Sequence, residues 1–320
     1  MRVLEALANE PDEALRRALR GVSGILVTPF DADDRIAPSR LAPIVDRAVA
    51  AGVGVLVANG NTGEFYALTT AEAEAMVHAA AEQIAGRAPL VAGVGRGIND
   101  ALALARASRE AGAAALMIHQ PPDPFVSPRG VVDYVRRIAE VAQHVPLILY
   151  LRDDGIGLDA IAELSAIPGV IGVKWACPTP MRLSEAIERG DPRLIWSGGL
   201  AETWAPVLYA AGARGFTSGL INVWPERSVA ISEALESGDF ARARALVAGI
   251  ASFEALRAEE RNGANVSVVK LALRLLGNDC GPPRPPAAWP LPDRMEGALQ
   301  DLLQQIRGTA SANPALAAAQ

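Results

Sequence analysis

"VIGVKWA", residues 170–176, is an apolar run interrupted by one charge. Four apolar or glycine residues precede Lys174, and Trp175 and Ala176 follow it. A run of this length and composition reads as a buried strand. Lysine is almost never buried without a partner or a task. The chain has 30 basic residues and only two are lysines, Lys174 and Lys270, so a lysine kept inside a strand asks for a reason.

The same kind of run recurs. "GILVTPF" (24–30), "VGVLVANG" (53–60), "PLVAGVG" (89–95), "AALMIHQ" (114–120), "PLILYL" (146–151), "RLIWSGG" (193–199) and "ARGFTSG" (213–219) join it to make eight strand candidates. Between them lie Ala-, Glu- and Arg-rich stretches with helical periodicity, such as 39–52, 100–112 and 130–144. Continuous apolar strands alternating with amphipathic helices imply a parallel sheet covered on its outer face. Eight such units are the count of a closed (β/α)₈ TIM barrel, an α/β fold. The competing fold, a doubly wound open sheet, places a Gly-rich fingerprint after its first strand. Here the first run ends in "TPF" instead.

Beyond the eighth run the pattern turns helical, over 225–260, 265–277 and 292–308, with a Pro-rich break at 278–290 that cannot be helical. The expected organisation is an N-terminal helical extension at 1–20, a barrel core at 21–224, C-terminal helices packed on it at 225–308 and a disordered tail at 309–320.

Bulk features narrow the function. Half the residues are hydrophobic, enough for a large core, and the net charge is −6 with no basic stripe, which excludes nucleic acid as a partner. The first 20 residues are charged throughout and lack the apolar core of a signal peptide. No apolar run approaches the ~20 residues of a membrane span. The expectation is a soluble cytoplasmic protein without a membrane partner. Cys177 and Cys280 form no disulfide framework. His78, His119 and His144 show no metal spacing, so no metal is expected. "GVGRG" (93–97) lacks the full dinucleotide fingerprint, and neither lysine sits in a P-loop.

Barrel chemistry sits at the C-terminal ends of the strands. That rule selects Lys174 first. Burial disfavours the ammonium form, and a neutral amine at a strand end attacks a carbonyl to form a Schiff base. The alternative is a lysine reaching out to pair with a carboxylate. Lys270, in a helix-patterned stretch, reads as a solvated helix residue. "GNTGE" (60–64) offers a turn whose Gly60 and Gly63 leave the backbone N–H groups around Asn61 and Thr62 free for a carboxylate. Its Thr62 hydroxyl can relay a proton, although such a sequence is often only a turn. Tyr150 ends the fifth run and can pass a proton, unless it is simply a core tyrosine. Arg152 lies two residues on, on the same face, as a carboxylate ligand or as half of a surface ion pair with Asp153 or Asp154. Thr217 and Ser218 end the eighth run as substrate contacts. His119 at the fourth strand end reads as a packing residue.

These pieces converge on a family. Over about residues 20–305 the chain resembles the dihydrodipicolinate synthase/N-acetylneuraminate lyase superfamily, in "GILVTPFDADDRI", "GNTGEFYALTTAE", "LVAGVG", "PLILY", "VIGVKWA" and "GARGFTSGLINVWPE". The resemblance implies a class I lyase in which Lys174 forms an imine with a 2-keto acid substrate and no separate cofactor is needed. It implies Tyr150 as proton relay, Gly60–Gly63 as the carboxylate-holding turn, and a homotetramer built as a dimer of dimers. Dihydrodipicolinate synthases read Tyr-Asn-Val-Pro at strand five and carry a Pro-Tyr-Tyr segment after strand four. This chain has "YLRDDGI" (150–156) and the tyrosine-free "QPPDPFVSPRG" (120–130). "YLRDD" and "GNTGEF" are more similar to the Tyr-Asn-Arg-Asp and Gly-Gly-Thr-Gly-Glu-Phe of 5-dehydro-4-deoxyglucarate dehydratases, with Leu151 and Asn61 as departures. The implied activity is a dehydratase of a keto-deoxy sugar acid, with decarboxylation. A pyruvate-dependent aldolase and a non-catalytic sugar-acid-binding barrel are the alternatives.

Overall fold

Eight short strands form within or beside the apolar runs: β1 Val22–Ile25, β2 Val55–Ala58, β3 Leu90–Val94, β4 Ala115–His119, β5 Leu147–Leu151, β6 Val170–Trp175, β7 Ile195–Gly198 and β8 Phe216–Ser218. Each pairs in parallel with the next, and β8 returns to β1, so the sheet closes into a barrel. A helix follows every strand, from Ala42–Ala50 after β1 to Pro225–Glu236 after β8. The structure is a computed structural model that describes residues 13–286 and 288–312, with side chains as far as residue 304.

Strand alternation divides the apolar residues into two cores. Val55, Val57, Val91, Ala115, Met117, Ile148 and Ile195 fill the barrel interior. Their neighbours Leu56, Ala58, Leu116, Ile118, Leu147 and Leu149 pack outward against the helices. The helix Glu13–Leu19 adds Leu15 and Leu19 to the inner core. It lies at the strand beginnings, where a Cβ on Gly54 would strike the Ala18 carbonyl. That helix is the described part of the expected N-terminal extension; residues 1–12 lie outside the described residues.

Three expectations shift. The first strand is Val22–Ile25 rather than 24–30. Leu26 N–H still donates to Val57 O (3.0 Å), residues 27–30 leave the sheet, and Phe30 N–H donates to Cys280 O (2.9 Å). Their apolar character reflects cover by the C-terminal segment, not membership of the barrel. The stretch 225–260 breaks into Pro225–Glu236, Phe240–Ala248 and Ala251–Ala258. Gly238 turns the chain at φ +77°, and Asp239 caps the next helix by accepting from Arg242 N–H. The helix Pro225–Glu236 packs beside Ala201–Ala210 and Ala42–Ala50. It is the eighth barrel helix, so the barrel runs past residue 224. The last helix, Asp293–Ala312, takes in four residues expected in the tail; residues 313–320 lie outside the described residues. No regular element appears among the described residues of the Pro-rich break. No helix is long and apolar enough to cross a membrane among the described residues.

Lys270 is the largest correction. It is not solvated: it is 2% exposed in the helix Asn265–Leu275. Its Nζ pairs with Glu64 at 2.6 Å, donates to Pro282 O (3.0 Å) and lies 4.2 Å from the centre of the Phe30 ring. Glu64 itself sits in the left-handed region, at φ +55°, and accepts a hydrogen bond from Arg284 N–H (2.6 Å). The pair therefore ties the turn after β2 to the C-terminal helices. Burial draws both groups toward neutrality, Glu64 up and Lys270 down, and each opposes the other's shift through its charge.

Removing one partner of a buried pair leaves an uncompensated charge, at about 3–5 kcal/mol. Lys270→Met is expected to cost about that much in urea unfolding, and Lys270→Met with Glu64→Gln substantially less. Equal losses in the single and double variants would show that the pair is not what holds these segments together.

Candidate active site

The inward-facing positions of neighbouring strands line up at the C-terminal rim. His119 is opposite Tyr150, Tyr150 opposite Lys174, and Lys174 opposite Ser197, in register across β4 to β7. Across the seam, Thr217 is opposite Ser23. Above this row opens a cleft of about 740 Å³, whose lining includes Asn61, Thr62, Tyr150, Arg152, Lys174 and Thr217.

Lys174 is 4% exposed and no carboxylate pairs with it among the described residues. Its Nζ lies 3.8 Å from the centre of the Tyr150 ring. Burial, reinforced by the positive charge of Arg152, lowers its pKa from 10.5 to about 7. The reading of Lys174 as a surface-reaching ion-pair partner therefore fails. A substantial fraction of the amine is neutral near pH 7, as a nucleophile requires.

The turn after β2 closes through Gly63 N–H to Gly60 O (3.0 Å) and Glu64 N–H to Asn61 O (3.0 Å). The Gly63 carbonyl accepts from the Thr28 hydroxyl (2.7 Å). Those bonds leave the N–H groups of Asn61 and Thr62 outside the turn's hydrogen bonding. The contact to Tyr150 differs from expectation. Asn61 Nδ2 donates to the Tyr150 hydroxyl (2.8 Å), and no hydrogen bond joins Thr62 to it. An amide cannot relay a proton, but it occupies a lone pair of the phenol oxygen and leaves the phenolic proton free to point elsewhere. Burial raises the Tyr150 pKa, so the phenol stays protonated at neutral pH.

Arg152 makes no ion pair with Asp153 or Asp154. Its Nη2 donates to Tyr66 Oη (3.2 Å) and Gln120 O (3.1 Å), and its guanidinium lies 5.6 Å from the Tyr150 ring centre. His119 is fully buried, with Nε2 3.0 Å from Asn59 O and Nδ1 3.3 Å from Tyr66 Oη. Burial and the nearby charge of Lys174 push its pKa well down. A neutral ring donating to Asn59 must accept from Tyr66, so His119 packs and orients Tyr66, as a packing residue should.

Ser218 is a correction. Adjacent strand residues face opposite ways, so with Thr217 turned in, Ser218 turns out. Its Oγ is buried 3.0 Å from Ser228 Oγ, which in turn donates to Glu202 (2.6 Å), behind the barrel wall. The missed residues are on the C-terminal helices. Glu254, Arg257, Asn262 and Asn265 form one wall of the cleft. In sequence Glu254, Arg257 and Asn265 fall within helix-patterned stretches and Asn262 between two of them, and nothing local marks any of the four. Among the described residues no group of His, Cys, Asp or Glu is clustered to hold a metal ion.

The pattern of the dihydrodipicolinate synthetase family matches residues 18–306. A protein of Rhizobium rhizogenes named "Probable 5-dehydro-4-deoxyglucarate dehydratase" is 31% identical over 295 residues, covering 91% of this chain and 97% of that one. The 4-hydroxy-tetrahydrodipicolinate synthase of Pseudomonas aeruginosa is 35% identical over 227 residues, 69% of this chain and 77% of its own. Among solved structures, dihydrodipicolinate synthase from Bacillus clausii superposes with a TM-score of 0.87 at 36% identity, over 92% of this chain and 99% of that one.

The amine's state is testable with a small acylating reagent, because Lys270, the other lysine, is held by Glu64. The Lys174 ammonium is unreactive, so modification is expected to rise with pH through a midpoint near 7. Arg152→Met removes a like charge and is expected to move that midpoint up. Peptide mass spectrometry reads both, and a wild-type midpoint near 10.5 would contradict the dry environment described.

Proposed function

The chain belongs to the dihydrodipicolinate synthetase family, whose members are lysine Schiff-base lyases, and we propose that it is a decarboxylating dehydratase of a keto-deoxy sugar diacid such as 5-dehydro-4-deoxyglucarate. The observation that carries this reading is the buried, unpaired Lys174 against Tyr150, in one cleft with the Asn61–Thr62 turn. Membership of the family sets aside the non-catalytic alternative. The dehydratase name of the Rhizobium relative and the "YLRDD" strand end support the choice of substrate class.

In this mechanism the Asn61–Thr62 turn takes the carboxylate beside the keto group, with Thr62 Oγ beside it. Lys174 attacks the keto carbon, and water leaves as the imine forms. The cationic imine acidifies the neighbouring methylene carbon, and Tyr150 is the proton shuttle there, taking that proton as its own phenolic proton passes to the hydroxyl that leaves. Loss of that proton gives an enamine, which expels the hydroxyl on the next carbon as water. The product is an unsaturated imine. Breaking the bond to the distal carboxylate then releases carbon dioxide, and its electron pair runs through the conjugated chain to the imine nitrogen. Protonation and hydrolysis free Lys174 and leave an aldehyde at the far end. Arg152 holds the distal carboxylate before it is lost, and Thr217 lines the middle of the cleft. No separate cofactor enters any step. The reading includes a homotetramer, for which the segment after β4 offers Phe125, 93% exposed.

A pyruvate-dependent aldolase shares the first step, and the Pseudomonas relative favours it. Borohydride and carbon dioxide measurements separate the two. Incubation with the keto-deoxy diacid and borohydride is expected to add the reduced substrate to Lys174, and Lys174→Ala to abolish the mass gain. Without borohydride, carbon dioxide is released. Tyr150→Phe is expected to lower turnover about 10²–10⁴-fold while imine trapping persists. A mass gain that survives in Lys174→Ala would overturn the nucleophile assignment, and trapping without carbon dioxide release would select the aldolase.

A further inference from the structure

We propose that Arg257 is a substrate-binding residue that completes the receptor for the carboxylate adjacent to the keto group. This rests on the Schiff-base reading of Lys174. Arg257 is 6% exposed, on the helix Ala251–Ala258 that walls the cleft. Two of its three nitrogens are fixed. Nε donates to Asn265 Oδ1 (2.9 Å), and Nη1 pairs with Glu254. Nη2 has no hydrogen-bond partner among the described residues.

The free nitrogen reaches the turn after β2. A Cβ on Gly219, just past β8, would lie 2.7 Å from Arg257 Nη2 and 2.8 Å from Thr62 Oγ1. The guanidinium and the threonine hydroxyl thus converge on one spot, and only a glycine at 219 leaves room for both. Beside them are the N–H groups of Asn61 and Thr62, which the turn does not use. Arg257 Nη2 and the Thr62 hydroxyl come from distant parts of the chain to one place on the cleft lining, and with the N–H groups of the same turn they offer donors that suit a carboxylate's two oxygens and their lone pairs. Arg152, whose guanidinium lies 5.6 Å from the Tyr150 ring centre on the same cleft, is left for the distal carboxylate. Glu254 offsets much of the Arg257 charge, so the contribution is directional hydrogen bonding from a pre-fixed donor rather than long-range attraction.

The test compares two ketones that differ at this carboxylate. Pyruvate and acetone are titrated in borohydride trapping with wild-type protein, Arg257→Gln and Arg257→Lys. Wild type is expected to trap pyruvate at far lower concentration than acetone. Arg257→Gln should cut that preference about 10–100-fold with acetone trapping unchanged, and Arg257→Lys should restore part of it. An unchanged preference in Arg257→Gln overturns the proposal, whether both ketones trap normally or both fall together as a purely structural role requires. Failure of the wild type to trap either ketone on Lys174 overturns the Schiff-base reading itself, and this inference with it.

Discussion

The rest of the structure depends on keeping the Lys174 amine dry and without a counter-charge. An ammonium group in that position loses its hydration and gains no carboxylate in exchange, so the neutral form becomes accessible near pH 7. The closed barrel makes this possible. Its interior is filled by Val55, Val57, Met117, Ile148 and Ile195, with Leu15 and Leu19 at the strand beginnings. Lys174 lies above that filling, on the lining of the rim cleft.

A dry amine is useful only if the groups around it hold their places. The row His119, Tyr150, Lys174 and Ser197 is fixed by strand register. The turn carrying Asn61 and Thr62 has no such ladder to hold it. It is held from outside, by Glu64 in a left-handed conformation, gripped by Lys270 and the Arg284 backbone. The C-terminal helices are therefore part of the site. They anchor the turn through Lys270 and wall the cleft with Glu254, Arg257 and Asn265. The chain's two lysines do opposite work: one has its neutral form made accessible for lack of a partner, and the other is buried because it has one.

Much of this was legible in the sequence. Eight apolar runs alternating with amphipathic helices gave the barrel, because period and composition are local properties. The rule that barrel chemistry lies at strand ends then found Lys174, Tyr150 and Arg152. What failed was whatever depends on a distant segment. Residues 27–30 looked like strand because Cys280 and its neighbours cover them. Lys270 looked solvated because Glu64 lies more than two hundred residues away in sequence. Arg257 sits in an ordinary amphipathic pattern, and only the fold turns it toward Gly219 and Thr62. Ser218 was a different error, since alternation along β8 could have excluded it once Thr217 was taken as inward-facing. Asn61, rather than Thr62, meets the Tyr150 hydroxyl, a choice between adjacent turn residues that backbone geometry makes.

The central claim is that Lys174 forms an imine with the substrate keto group. Imine formation expels the keto oxygen as water, and hydrolysis restores it from solvent, so every reversible cycle exchanges that oxygen. The direct measurement is the rate at which a 2-keto acid takes up ¹⁸O at its keto position from labelled water, with and without the protein. The account predicts exchange well above the spontaneous hydration rate with wild type and only the spontaneous rate with Lys174→Ala. Exchange at the spontaneous rate with wild type, or acceleration that persists in Lys174→Ala, would contradict it.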